Sequence, residues 1–502
     1  MDSIVRQSGI LMPISSLPSP YGIGCLSCEA YEFCRRLSEA GQSVWQILPL
    51  TPTSYGDSPY QSPSAFALNP YLIDLCGLIE EGLLHKEECD ETLGDAPRDR
   101  VDYGRQYEGR MLLYRRAYRR WRKGESAEYG SFLERNETWL SDYALFMAVK
   151  ERYGGAPLKN WPRGLRERDP QAMVEVREEL CESVDFYQFL QFRAWREWDR
   201  FHEYAKERGI RIMGDLPLYV SEDSADLWGN PDLFYLNEEG RPTHVAGCPP
   251  DAFSSDGQWW GNPLYRWEEH RRRDYSWWVS RLSSAFSLYD MVRIDHFRGF
   301  DAYYSIPATA KSAREGRWER GIGEEMFRVA EEILGRREIV AEDLGFETES
   351  LRVLLARCGF PGMRILQHGF DTADFSSRDL PHNYPSDCVA YTGTHDNPTL
   401  LQWLESRSEE GIGRIREYLW RRGGSLSELG EELIVRLLQS PASLCILPLQ
   451  DYLLLGEEGR INVPSRGEGN WQWRVKEEEL CAPLWAKIER MATVSGRKKM
   501  QT

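Results

Sequence analysis

The chain has 502 residues, 41% hydrophobic and 28% charged, which is long for one ordinary domain and ample for a large core. Its 62 Lys and Arg against 79 Asp and Glu leave a formal charge of −17, a balance that repels phosphate backbones and anionic membranes while leaving a neutral substrate unaffected, so no nucleic-acid or membrane partner is expected. No run approaches the ~20 apolar residues of a membrane span, and MDSIVRQSGI has neither the basic head nor the apolar middle of a signal peptide, so a cytoplasmic protein is expected. In chain order, eight short apolar runs read as strands: 9–14, 43–50, 210–220, 289–297, 338–345, 362–367, 388–396 and 444–451. Amphipathic helical stretches separate several of them, such as CEAYEFCRRLSEAG and GEEMFRVAEEILGRR.

Strands alternating with helices imply parallel pairing through crossovers, and eight such units predict a closed (β/α)8 TIM barrel, an α/β fold, as one catalytic domain over 1–502. Two connections are too long for crossovers. One, over 75–205, is helix-rich and charged; the other, over 221–288, is rich in Trp, Gly and Pro. They follow strands two and three on the face where barrel enzymes keep their active sites, so they are expected to be insertions that shape a cleft. The basic run YRRAYRRWRK reads as the solvated face of a helix. The 11 cysteines are odd in number and scattered, which suits reduced thiols, and the Cys25/Cys28 pair has no second pair at zinc-finger spacing.

Carboxylates gather where the strands end. Asp215 closes the apolar part of strand three, Asp295 the fourth, Glu342 and Asp343 the fifth, and Asp396 the seventh. A single acid there could be a helix cap. Four strands ending in acids place like charges together, which destabilises a fold unless chemistry uses them. Glycosyl transfer is the chemistry that needs several carboxylates and nothing else: one acid protonates the departing oxygen and another attacks or stabilises the sugar cation. Phosphate-binding, dinucleotide-binding, zinc-protease and serine-hydrolase motifs are all missing, so no cofactor and no metal are expected. His296, His395 and three acids nevertheless leave a divalent-metal barrel open. Trp259 and Trp260 lie in a Gly-containing stretch read as a loop, where a flat ring suits the C–H face of a sugar.

The ordered motifs SGILMPISSLPSPYGIG, WQILPLTPTSYGDSPYQSPSAFALNPYLI, GDLPLYV, PPDAFSSDGQWWGNPLY, VRIDHFRGF, VAEDLG, TGTHDN and GRINVPS cover nearly the whole chain. They resemble glycoside hydrolase family 77, the 4-α-glucanotransferases known as amylomaltases or disproportionating enzymes. The resemblance implies transfer of α-1,4-glucan segments to glucose or maltooligosaccharide acceptors, with retention. In these terms Asp295 is similar to the nucleophile, Glu342 to the general acid/base and Asp396 to the third carboxylate, which holds sugar hydroxyls. Arg293 resembles the arginine that keeps the nucleophile ionised, and His395 and Asp215 resemble sugar-binding positions. Ser58, Tyr60, Trp260 and Asn462 resemble contacts to neighbouring glucose units. Independently, Arg293 lies two along a strand from Asp295, so the side chains share a face, and a guanidinium there would lower the carboxylate's pKa. Two alternatives stay open: an α-amylase-like retaining hydrolase, which shares the first half-reaction, and a non-catalytic glucan-binding barrel. The oligomeric state is not legible.

Overall fold

The computed structural model describes residues 6–121, 127–250, 256–345, 348–372, 374–464 and 466–498. Residues 251–255 of the aromatic-rich stretch and Ser465 of GRINVPS lie outside the described residues. Twelve strands occur among those described: β1 Gln7–Leu11, β2 Val44–Gln46, β3 Arg211–Leu216, β4 His244–Cys248, β5 Gln258–Pro263, β6 Met291–Ile294, β7 Ala302–Pro307, β8 Arg317–Arg320, β9 Ile339–Ala341, β10 Met363–Ile365, β11 Val389–Tyr391 and β12 Leu444–Pro448.

Eight of them form one parallel sheet in the order β10, β11, β12, β1, β2, β3, β6, β9. Its two ends meet through a parallel bridge between Ala341 and Gly362, and the Ala341 N–H donates to the Pro361 carbonyl at 2.9 Å, so the sheet closes into a barrel. Each of the eight apolar runs supplies one barrel strand. The strands are shorter than their runs: β3 stops at Leu216 because Pro217 has no N–H with which to continue the ladder. The outer helices bury one stripe each. In Cys28–Glu39 the buried residues are Ala30, Phe33, Cys34 and Leu37, the three-to-four spacing of an amphipathic helix.

Between β2 and β3 the chain builds helices that include Tyr103–Trp121, Ala127–Arg152 and Cys181–Glu207. The last of these runs on to the barrel wall, where the buried Trp198 donates its Nε1–H to the Leu288 carbonyl at 3.1 Å. Residues 114–121 of the basic run lie on Tyr103–Trp121, where Arg115 pairs with Glu151 and both Arg116 and Arg120 pair with Glu88, and its last two residues lie outside the described residues. No disulfide joins any of the eleven cysteines, of which Cys25 is buried and Cys28 exposed. Among the described residues no helix is long and apolar enough to cross a membrane.

One element departs from the sequence reading. Beside the barrel stands a four-stranded antiparallel sheet in the order β5, β4, β7, β8. Two of its strands come from the connection after β3 and two from the segment after β6. Trp259 and Trp260, expected in a loop, therefore alternate on β5, with Trp259 41% exposed and Trp260 partly buried. The reading missed this because β4 and β8 carry no apolar run of their own; pairing with β7 makes them strands.

Candidate active site

The register of the barrel assembles the site. Asp215 on β3 and Arg293 on β6 are direct partners in the ladder, so their side chains leave on the same side. Both are buried. Arg293 Nη1 donates to both Asp215 oxygens (2.7 and 2.6 Å) and Nη2 donates to Asp295 Oδ1 (3.1 Å). A buried guanidinium is tolerable only when paired in this way.

From Asp215 a chain of hydrogen bonds crosses the mouth of the barrel. Tyr60 Oη donates to Asp215 Oδ2 at 2.6 Å and lies 2.9 Å from His395 Nε2. Since the phenol's one proton goes to Asp215, the network assigns the His395 proton to Nε2, which also faces Asp396 Oδ2 at 3.4 Å. Burial holds the His395 imidazole below its ordinary pKa and so neutral. Asn462 Nδ2 then donates to Asp396 Oδ1 at 2.6 Å. Asp295, Arg293, Asp215, Tyr60, His395, Asp396 and Asn462, seven positions from distant parts of the sequence, thus form one connected network.

Glu342 joins from β9. Ile294 on β6 and Ala341 on β9 are register partners, so the next residues, Asp295 and Glu342, stand side by side at the rim. Glu342 Oε2 accepts from the His296 N–H at 2.7 Å and Oε1 from the Leu344 N–H at 3.1 Å. Burial raises the Glu342 carboxyl above the usual carboxylate range. Burial, opposed by Arg293 and reinforced by repulsion from Asp215, Glu342 and Asp396, carries Asp295 up to about 8. The Arg293 guanidinium lowers the Asp295 carboxyl in the expected direction, opposing the cost of burial without overcoming it. The Asp295 side chain is 28% exposed, which leaves an open approach to one of its flanks.

The remaining expected residues sit at the margin of this network. The Trp260 ring meets His296 edge-on at 4.8 Å between centroids, and its carbonyl accepts from Gln61 Nε2 at 3.4 Å. Ser58 Oγ accepts from the Tyr60 N–H at 3.2 Å, so its contact here is with the backbone that carries Tyr60. Asp343, counted above with the rim acids, points elsewhere: it accepts from the Met363 N–H at 2.7 Å and faces Arg364 and Arg378 at 3.5 and 3.4 Å, tying β9 to β10. Among the described residues no three His, Cys, Asp or Glu side chains form a group able to hold a metal ion.

Two residues take parts in the site that the sequence reading did not give them. His296 takes a left-handed backbone conformation (φ 48°) that turns its N–H onto Glu342. Arg460 donates to the carbonyls of Asp396 (3.2 Å) and Asn462 (3.0 Å), fastening the segment that carries Asn462 to the loop after β11. The GRINVPS motif contains Arg460, but only contact with Asp396 reveals its part.

A closed α/β barrel with carboxyls drawn together at the C-terminal ends of neighbouring strands defines a carboxylate-dependent (β/α)8 enzyme. The family model described as 4-alpha-glucanotransferase matches residues 12–480. The chain is 45% identical over 501 residues to the 4-alpha-glucanotransferase of Thermus thermophilus, covering 98% of this chain and 99% of that one. It is 43% identical over 494 residues to the enzyme of the same name from Clostridium butyricum, covering 97% and 100%. Among solved structures, the amylomaltase from Streptococcus agalactiae in complex with acarbose superposes with a TM-score of 0.95 at 38% identity, covering 98% and 100%. The chain belongs to the 4-alpha-glucanotransferases of glycoside hydrolase family 77, and its activity is of that type.

Proposed function

We propose that the enzyme moves a segment of an α-1,4-glucan onto the 4-hydroxyl of glucose or a maltooligosaccharide, with retention, through a glucosyl ester on Asp295. The observation that carries this reading is the side-by-side placement of Asp295 and Glu342 beyond the Ile294–Ala341 register pair. Adjacent strands lie ~4.8 Å apart, and retaining enzymes hold their two carboxyls ~5–5.5 Å apart. Inverting enzymes leave room for a water between them.

In this scheme Asp295 and Glu342 enter the reaction sharing one proton, and Arg293, which donates to Asp295, draws the negative charge to Asp295 and leaves the proton on Glu342. Asp295 attacks the anomeric carbon while Glu342 gives its proton to the departing 4-oxygen. The Glu342 carboxylate left behind is held by the N–H groups of His296 and Leu344, and it takes the proton of the incoming acceptor hydroxyl as that hydroxyl displaces Asp295. Asp396, with Asn462 and His395 on its two oxygens, is positioned to hold hydroxyls of the distorted sugar. The connection over 221–288, which carries Trp260, is proposed to seat the acceptor, and the helical insertion over 75–205 to wall the cleft. Eleven cysteines without a disulfide among them support a reducing compartment, for which we propose the cytoplasm.

Incubation with pure maltotriose tests the assignment. A ladder of longer maltooligosaccharides with free glucose is expected; glucose and maltose without longer products would make the enzyme a hydrolase instead.

A further inference from the structure

A cavity of about 430 Å³ opens on the face of the barrel opposite the carboxylates. Its position follows from its lining, because Gln7, Arg211, Met291, Ile339, Val389 and Leu444 lie at the N-terminal ends of six barrel strands, whereas Asp295 and Glu342 follow the C-terminal ends of theirs. A barrel interior is normally filled by its own side chains, and the N-terminal face normally serves stability. Here the space between helices Ser276–Leu288 and Glu325–Leu334 remains open, floored by Leu282, Phe286, Phe327 and Phe360.

The rim has a different character from the floor. Glu338 engages Arg211 through both carboxylate oxygens at 2.9 and 2.8 Å, and Gln7 takes the other arm of that arginine at 2.7 Å, so this charge is neutralised in place. Arg336 and Arg337 are exposed and follow Gly335, which ends its helix at φ 73°. Arg337 lies over the Phe286 ring at 5.7 Å. Arg336 Nη2 stands 3.3 Å from where a Cβ on Gly359 would be, so it is folded over that glycine. Among the described residues neither has a carboxylate within ion-pair distance. Glu331 is the acid that remains on the rim. On a protein of charge −17, this hollow pairs an aromatic floor with two guanidiniums, one against Phe286 and the other against Gly359.

We propose that this cavity binds a small organic anion, with an apolar body lying on Phe286, Phe327 and Phe360 and a phosphate or carboxylate held between Arg336 and Arg337. Guanidinium forks match such oxyanions, and hydrogen bonds to charged groups contribute more than neutral ones. The site is distinct from the glucan cleft and needs no residue of it.

Cys358 lines the cavity and supplies a local readout. Alkylation by N-ethylmaleimide, followed peptide by peptide, should slow at Cys358 when octyl phosphate or octanoate is added, while the exposed Cys481 reacts unchanged. The two probes separate phosphate from carboxylate as the preferred head group. In the double variant Arg336→Gln/Arg337→Gln the half-protecting concentration should rise about tenfold or more. Turnover on maltotriose should stay at the wild-type level in that variant and so report an intact fold. Inorganic phosphate and 1-octanol, each lacking half of the proposed ligand, should protect far more weakly. The proposal is overturned by no protection at millimolar concentrations of either probe, by 1-octanol protecting as well as octyl phosphate, or by equal protection in the double variant.

Discussion

Arg293→Gln is the substitution that tests the network most directly. Arg293 touches two acids: Asp215, whose side chain has no exposed surface, and Asp295, which is partly open. Removing one partner of a buried pair costs about 3–5 kcal/mol, because the other charge stays in the interior without its counter-ion. After the substitution Asp215 would retain only the Tyr60 hydroxyl. The loss should therefore fall at the high end of that range and be readable as a lowered urea midpoint. Catalysis should fall further than stability. With the guanidinium gone, nothing opposes the burial that already carries Asp295 to about 8, and each further unit cuts the ionised fraction at neutral pH about tenfold. The double variant Arg293→Gln/Asp215→Asn, which removes both charges, should recover a large part of the stability and none of the turnover on maltotriose. If Arg293→Gln unfolded at the wild-type midpoint and turned over within threefold of wild type, the account of a charge-sustaining arginine would be wrong. A double variant no more stable than the single one would show that Asp215 is not the uncompensated group.

Asp295→Asn should abolish transfer with the fold intact, checked by maltotriose turnover alongside the unfolding midpoint; near wild-type turnover would remove Asp295 from the nucleophile's role. Glu342→Gln should be as severe on glucans yet recover on a glucosyl fluoride, whose leaving group needs no proton; equal loss on both substrates would argue against Glu342 as the acid. Trp260→Ala should reduce elongation more than donor cleavage, raising free glucose relative to longer products about tenfold for each 1.4 kcal/mol of lost acceptor stacking; an unchanged product ratio would assign the acceptor to another part of the cleft. Burial pushes the fully enclosed Asp451 carboxyl up to about 6, so the stability it contributes is complete below its unfolded pKa near 4 and is lost as pH rises through 6. Asp451→Asn should therefore gain on wild type between pH 4 and pH 7, by up to about 3 kcal/mol in urea unfolding; a constant difference across that range would refute this.

The barrel was legible because its signal is local. A buried parallel strand needs an uninterrupted apolar run, and a crossover helix needs an apolar stripe, so each unit announces itself in the residues that form it. The acids were legible for a related reason: charged residues at the ends of apolar runs are expensive and therefore conspicuous. The same reasoning over-read Asp343, because proximity to a strand end does not say which way a side chain turns. Asp343 turns to the Met363 N–H, and its neighbour Glu342 turns to the rim.

What stayed hidden is what is made by contact between distant segments. β4 and β8 are strands through pairing with β7, across sequence gaps that no window of local pattern spans. Tyr60, His395 and Asn462 come from three connections, and nothing in their spacing indicates that a phenol bridges Asp215 to an imidazole, or that an amide then holds Asp396. The consequence bears on mechanism. The local pattern accounts for the carboxyls proposed to do the chemistry and for Arg293 beside them, whereas Tyr60 and Asn462, which hold Asp215 and Asp396, are contributed by connections between strands. Within a shared barrel, divergence between relatives should therefore fall first on how the acids are held, and comparison of Tyr60 and Asn462 variants with Asp295 variants separates those two layers: the former should alter the pH dependence and sugar affinity of an enzyme that still turns over, and the latter should leave no turnover to measure.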